Sequence, residues 1–468
     1  MKKILALVCI CVFLIGAVPD TAYEKHNYLF PSENNIELSA TDSYDLLIIA
    51  PDDWKEDIAR FVQHKEDHGI RTILVGTNEI YSGSYFDAEG RDDAEKVKYF
   101  IKNALDEWNI TFVLLVGGRM PGIEERWYVP VRYVEVELFG ETTYLSDLYF
   151  ADIYDDAKTF QSWDENGDSV FGTKEDGMDL HPDVAVGRWA CRNRQELKTV
   201  IEKTIAYETT PETEKKIVLV GGDTWKDHHN DMEGELVTEK TASYMKDYEK
   251  IRVYASEEKV NALSIIQALG DGASFMHLFG HGWVIYWNTY QFEAFEGRAG
   301  GFGIWHMPLF SNSHYPIVML DGCHTAMFNV CLTYRPYTWM ANAGLPLLCR
   351  FFPGFKDIAW ALTSAPHGGS VATLGYTCFT AGAIGHGGDF DGDGVDEPNC
   401  VEYGCGYMDT RFFYAHGVEG KSYLGECWSR AEDIYIDTFN CLNNEAHLRT
   451  VESIVLLGDP SIKIGGYQ

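Results

Sequence analysis

The sequence predicts an α/β protein built as two adjacent subdomains, each with a mostly parallel sheet flanked by helices. Three features carry that expectation. From Tyr44 onward, short apolar runs alternate with stretches of helical periodicity. The same alternation restarts at Lys216, after a polar stretch containing proline. A chain of 468 residues also exceeds what one ordinary hydrophobic core accommodates.

In the first series, YDLLIIA (44–50) reads as a strand and DWKEDIARFVQHKEDHG (53–69) as a helix with Trp54, Ile58, Phe61 and Val62 on one face. RTILVG (71–76), the helix DAEKVKYFIKNALDEW (93–108) and TFVLLVG (111–117) continue the pattern. A loop-rich stretch from Gly118 to Asp179 follows. DVAVGR (183–188) and the helix RQELKTVIEKTIAYE (194–208), with Leu197, Val200, Ile201 and Ile205 at helical spacing, close a first subdomain at 44–209. TTPETEK (209–215) reads as a linker into a second subdomain at 210–468. There KIVLVGG (216–222), a helix from Glu235 to Asp247, RVYAS (252–256), the helix NALSIIQALGDG (261–272), SFMHLFG (274–280) and a strand from Pro316 to Leu320 are expected in turn.

Composition narrows the function. Apolar residues at 46% and aromatics at 14% describe a folded globular protein. With 38 basic against 71 acidic residues and a formal charge of −33, a nucleic-acid partner is not expected, because no basic patch is present to release counterions. The N-terminus has two lysines, an apolar run from Ile4 to Val18 and then small residues, which reads as a signal peptide over 1–22. Residues 23–43 then form a short propeptide or N-terminal extension, and the mature protein is expected to be extracellular, monomeric and without stable membrane association. Export permits disulfides. Setting aside Cys9 and Cys11, the remaining cysteines are odd in number, which leaves at least one thiol unpaired. Cys400, Cys405, Cys427 and Cys441 lack the spacing of zinc ligands and are expected in disulfides.

At the carboxyl ends of strands in open α/β sheets, loops collect functional groups. His281 follows one such strand, in SFMHLFGHGW, and Cys323 follows another, in YPIVMLDGCHTAMF. If those strands are neighbours, an imidazole faces a thiol. The histidine would take the thiol proton and protonate the leaving amine, while the amides of Gly282 and Cys323 approach a developing oxyanion. Each residue on its own would more often be structural, and it is the pair, each preceded by an apolar strand and flanked by glycine, that points to acyl transfer.

The apolar-His-Gly and apolar-Gly-Cys pattern resembles the caspase-like (clan CD) cysteine peptidases, and within them the gingipain family, peptidase family C25. VAVGRWACRNRQELKTVIEKTIAYE (184–208) resembles the close of that family's first subdomain, and LLGDPSIKI (456–464) its terminal Gly-Asp-Pro signature. The resemblance runs from Tyr44 to Ile464. It implies two caspase-like α/β subdomains, cysteine endopeptidase activity on polypeptide substrates and no organic cofactor. It also implies that Asp223, in VLVGGDTW, orients His281; a loop-capping role is the alternative. An acidic residue downstream would select basic P1 side chains, the nearest matches being Asp231 and Glu233, with Trp283 and 374–388 as pocket walls. The lack of extensions after the second subdomain suggests a freestanding enzyme.

Two acidic loops suggest structural calcium. DFDGDGVDE places Asp389, Asp391 and Asp393 at alternate positions before Gly394, with Asp396, Glu397 or Glu402 to complete the shell. DENGDSVFGTKE aligns Asp164, Asn166, Asp168 and Glu175, with Ser169 where the turn glycine belongs, and a solvated acidic loop is the equal alternative there. Two rival readings stay open: a catalytically silent relative that binds peptides or surfaces, and a metal-dependent hydrolase built around His228-His229 with Asp227 and Asp231.

Overall fold

In this computed structural model the described residues are 43–122, 124–210, 215–225, 231–270, 272–290, 299–330 and 356–467. The first apolar runs become β1 (Leu46–Ala50), β2 (Thr72–Gly76), β3 (Phe112–Val116) and β6 (Ala185–Trp189), a parallel sheet in the order β2-β1-β3-β6. β1 and β3 are buried throughout, which is why LLIIA and FVLLV run apolar without alternating. Leu47 and Ile49 pack with Val97, Ile101 and Ala104 of the helix Asp93–Trp108. Leu46 and Ile48 face the other way, toward Ile58 and Phe61 of the helix Lys55–Asp67 and Leu197, Val200 and Ile201 of the helix Arg194–Thr209. Asp92 and Asn193 cap two of these helices by accepting from the Glu95 and Glu196 amides.

The stretch read as loop-rich contains a hairpin, β4 (Tyr133–Leu138) and β5 (Glu141–Leu145). Its signal was present in the alternation of YVEVEL and in the turn Phe139-Gly140, whose φ angles of 54° and 80° are both positive.

The second sheet has the order β15-β14-β13-β9-β7-β8. It comprises β7 (Lys216–Gly221), β8 (Glu249–Tyr254), β9 (Phe275–Leu278), β13 (Ile317–Leu320), β14 (Ala372–Tyr376) and β15 (Ile454–Leu457). All pairs are parallel except β14 with β15. β10 (His281–Trp283), β11 (Tyr286–Tyr290) and β12 (Ala299–Gly303) form a small antiparallel sheet at its end. Several expected boundaries move. β8 begins at Glu249 rather than Arg252, the helix expected from Glu235 begins at Glu233, and β13 begins after Pro316, which has no N–H for the ladder.

The outer strands of the two sheets meet. A Cβ on Gly187 of β6 would overlap the carbonyl of Gly458, just after β15. Beside this contact Lys65, fully buried, pairs with Glu208 at 2.8 Å and Asp459 at 2.7 Å, so the Gly-Asp-Pro stretch supplies both a close approach and a buried charge. Among the described residues, no helix is long and apolar enough to cross a membrane.

Candidate active site

β9 and β13 are neighbours, paired in parallel with Leu278 opposite Leu320. His281 and Cys323 each stand three residues beyond that rung, so the register brings the imidazole-bearing and thiol-bearing strand ends together. The two backbones touch. Gly322 has φ +137°, and a Cβ there would run into the Gly282 amide. A Cβ on Gly282 would meet Gly322 C at 2.6 Å and Cys323 O at 2.7 Å. Glycine stands between His281 and Trp283 because no other residue fits against the nucleophile turn.

That turn is held from below. The Thr325 hydroxyl donates to the carbonyls of Leu320 and Gly322, each at 3.0 Å, and accepts from the Tyr376 amide at 3.2 Å. The amides of His324 and Ala326 donate to Cys378 O and Tyr376 O, both at 2.9 Å. Asp321 reaches across to the other strand end and accepts from the Gly280 amide at 3.4 Å. Among the described residues, the Cys323 amide donates to no main-chain carbonyl, as an oxyanion donor requires.

Cys323 is half-buried, whereas Cys191, Cys378, Cys400, Cys405, Cys427 and Cys441 are buried, and all seven are free thiols. The expected disulfides at Cys400, Cys405, Cys427 and Cys441 are therefore corrected. All four belong to one hydrophobic core cluster as free thiols, and burial there pushes Cys400 and Cys441 up to about 12. Cys331 and Cys349 lie outside the described residues. Burial also raises the Cys323 thiol, opposed by hydrogen bonds from the amide and hydroxyl of Thr380, the hydroxyl lying 3.7 Å from Sγ. Thr380 falls in the 374–388 segment and had no distinguishing signal in the sequence.

The His281 ring sits between the edges of Trp225 and Tyr290, with centroids at 5.8 and 5.6 Å. Its Nε2–H donates to the main-chain carbonyl of Thr224 at 2.5 Å, which leaves Nδ1 as the proton acceptor. The partner at Nε2 is thus one residue beyond Asp223, the residue expected to orient the ring. Asp223 O itself accepts from the Tyr290 amide and the Thr289 hydroxyl, both at 2.9 Å, tying this segment to β11. Burial lowers His281 below its ordinary value, so thiol and imidazole rest as a neutral pair.

The predicted pocket residues separate. Glu233 is 1% exposed and accepts from the Thr224 amide at 3.0 Å, so it braces the loop rather than walling an open pocket. Asp231 is half-buried and, with Glu235, Glu239, Tyr254 and His386, lines a cavity of about 430 Å³. Trp283 packs edge-on against His324 at 5.4 Å.

In the first acidic loop, oxygens of Asp389, Asp391 and Glu402 lie within 4.8 Å of one another. Calcium–oxygen bonds of about 2.4 Å place ligands within about that span, so the donors fit the ion. Asp393 and Asp396 lie outside that trio; they accept from the Val395 and Gly387 amides at 2.7 and 3.2 Å, as Asp389, Asp391 and Glu402 accept from the Gly394, Asp393 and Phe390 amides. In the second loop Asp164 is paired with Arg91, while Asn166 and Asp168 accept from the Asp168 and Val170 amides, at 2.9 and 2.8 Å. A guanidinium already neutralises that loop. Asp227, His228 and His229 lie outside the described residues, and no histidine-containing metal cluster occurs among the described ones.

The model of peptidase family C25 matches residues 39–465. Gingipain R2 of Porphyromonas gingivalis is 25% identical over 265 residues, covering 53% of this chain and 29% of that protein. Gingipain R1 of the same organism is 24% identical over 264 residues, covering 53% of this chain and 21% of its own. The chain thus spans under a third of the length of these relatives. The crystal structure of the Arg specific cysteine proteinase gingipain R superposes with a TM-score of 0.58 at 17% identity, over 92% of this chain and 80% of that one. The complex of P. gingivalis RgpB pro- and mature domains gives 0.58 at 17%, over 90% and 79%. The fold is the caspase-like α/β fold, as the sequence predicts.

Proposed function

Because the chain belongs to peptidase family C25, we propose that it is an extracellular cysteine endopeptidase in which Cys323 and His281 carry out the chemistry. The observation that carries this reading is the register of β9 and β13, which sets a half-buried thiol and an imidazole at adjoining strand ends with their backbones in contact. His281 Nδ1 takes the thiol proton as Sγ bonds to the peptide carbonyl carbon, and the amides of Cys323 and Gly282 receive the oxyanion. The carbon–nitrogen bond then breaks as His281 returns the proton to the amine. Water, deprotonated by the same nitrogen, releases the acid and the thiol. The Asp223-Thr224 segment fixes the tautomer through the Thr224 carbonyl. A basic P1 side chain would be met by Asp231, supported by its place in an acidic cavity and by the relatives named above. Calcium held by Asp389, Asp391 and Glu402 would pin the loop before the helix Gly404–Gly417 and take no part in the reaction. Monomeric action without an organic cofactor completes the proposal.

The test is cleavage of a fluorogenic peptide library varied at P1, by the wild type and Cys323→Ala, with calcium and with chelator. The wild type should cleave after Arg or Lys and the variant should lose at least about 10³-fold in kcat, as loss of a nucleophile does. Equal cleavage by both would remove Cys323 from the mechanism. Activity lost on chelation but spared by a thiol alkylator would favour the metal-dependent reading.

A further inference from the structure

Glu141 lies on β5, in the hairpin contributed by the first half of the chain, yet its carboxylate ends beneath the nucleophile turn of the second half. It is 1% exposed. Oε1 accepts from His324 Nε2–H at 3.1 Å and Oε2 from the Phe379 amide at 2.9 Å. Those two residues adjoin Cys323 and Thr380, the groups whose sulfur and hydroxyl face each other. Arg449, from the helix Glu445–Ser453, supplies the counter-charge: it pairs with Oε2 and donates to Glu141 O at 2.9 Å. His324 is fully buried at φ 60°, a left-handed conformation that an ordinary side chain adopts only when its surroundings hold it there.

We propose that Glu141 is a positioning residue for Cys323, clamping the nucleophile turn through His324 and the Thr380 loop through Phe379. One rigid anion then sets the spacing between Sγ and the Thr380 donors. A carboxylate suits this task because both of its oxygens accept, and both partners are N–H donors. A glutamine in its place would turn an NH₂ toward one of them. The inference rests on the peptidase reading of Cys323.

The experiment uses the full chain carrying Glu141→Gln, His324→Asn or both. Asparagine tolerates the left-handed conformation and is too short to reach Glu141, so it breaks one arm of the clamp and leaves the Arg449 pair intact. Each is assayed for kcat, KM and the iodoacetamide alkylation rate of Cys323 against pH, read by peptide mass. Each single variant should lose about 10- to 100-fold in kcat with KM nearly unchanged, the usual effect of removing a supporting partner of a reactive group. Arg449 and the Phe379 amide share Oε2, so the glutamine carbonyl stays there and its NH₂ meets His324; both variants then break the same arm, and the double should lose no more than the worse single. The groups that act on the Cys323 thiol are Thr380, Asp321, Glu141, Cys378 and Cys405. Glu141 and Asp321 raise its thiol, so Glu141→Gln should move the alkylation profile to lower pH while His324→Asn leaves that charge in place. Folded variants with wild-type kcat and an unmoved profile would overturn the inference, as would losses that multiply in the double variant. If Glu141→Gln does not fold, His324→Asn decides by kcat and KM: a folded variant with wild-type kcat overturns the inference, and a fall in kcat at unchanged KM supports it. An unreactive Cys323 in the wild type would instead defeat the peptidase reading.

Discussion

At the scale of single residues, the site departs from a thiolate–imidazolium pair. Burial raises the Cys323 thiol and lowers His281, and both shifts favour the neutral forms. The consequence is a pH profile with a worked sign. Above its lowered value His281 is the free base required to take the thiol proton, so the acid limb of kcat/KM should fall below pH 6.5, the ordinary histidine value. Alkylation of Cys323 should keep rising past pH 9.0, the ordinary thiol value, because its anion is disfavoured. A preformed ion pair would instead alkylate at a constant rate across the neutral range, and that plateau in an iodoacetamide profile would sink the neutral-pair account. Cys323 and His281 were legible because each follows an apolar strand. The Thr224 carbonyl and the Thr380 hydroxyl were not, since a main-chain acceptor carries no sequence signature and a hydroxyl in a loop resembles any other.

At the scale of elements, what makes the site is the junction of two strand ends. The His-Gly and Gly-Cys stretches approach too closely for a methyl group to fit between them, so their glycines carry the geometry. Gly322→Ala should cost about 1–3 kcal/mol from its φ of +137° and the clash with the Gly282 amide. It should also lower kcat/KM by about 10²-fold through displacement of Sγ. Gly69→Ala is the control: φ is +82° there, but a Cβ would meet nothing within 4 Å. It should lower the urea midpoint and leave kcat/KM alone, and equal activity in both variants would mean that the contact does not position the sulfur. The strands themselves were readable from apolar runs, because burial on both faces leaves few other sequences for them. The β4–β5 hairpin is hard to read because the short alternation of YVEVEL sits inside a long stretch rich in turn residues. Glu233 was misplaced for another reason: a carboxylate that caps an interior amide and one that awaits a cation look the same in sequence.

At the scale of the whole molecule, the two sheets meet along β6 and β15, and the chemistry of that seam is a buried charge cluster. Lys65 comes from the helix Lys55–Asp67, Glu208 from the helix Arg194–Thr209 and Asp459 from the turn after β15, and each is fully buried. Glu208 also bonds His64 Nε2 at 2.9 Å. Opposite charges hold Lys65 above and Glu208 below their ordinary values despite burial, so both stay ionised. The glutamate, in an otherwise amphipathic helix, and the aspartate of the Gly-Asp-Pro stretch gave no sign in the sequence of meeting a lysine some 390 positions earlier, as Asp459 does. Such clusters are costly to break from one side, because the group left behind keeps its desolvation penalty. Lys65→Met would strip the Glu208 and Asp459 carboxylates of their shared cation, leaving Glu208 with His64 and the Lys463 amide and Asp459 with the Ser461 amide and hydroxyl, and should destabilise by about 3–5 kcal/mol. Asp459→Asn leaves Lys65 its Glu208 partner, so its loss should be the smaller of the two. Urea unfolding followed by tryptophan fluorescence and by far-ultraviolet circular dichroism gives both values, with the two probes moving together if the seam unfolds with the sheets. The reverse order, or unmoved midpoints, would show that the cluster satisfies its own charges without joining one sheet to the other.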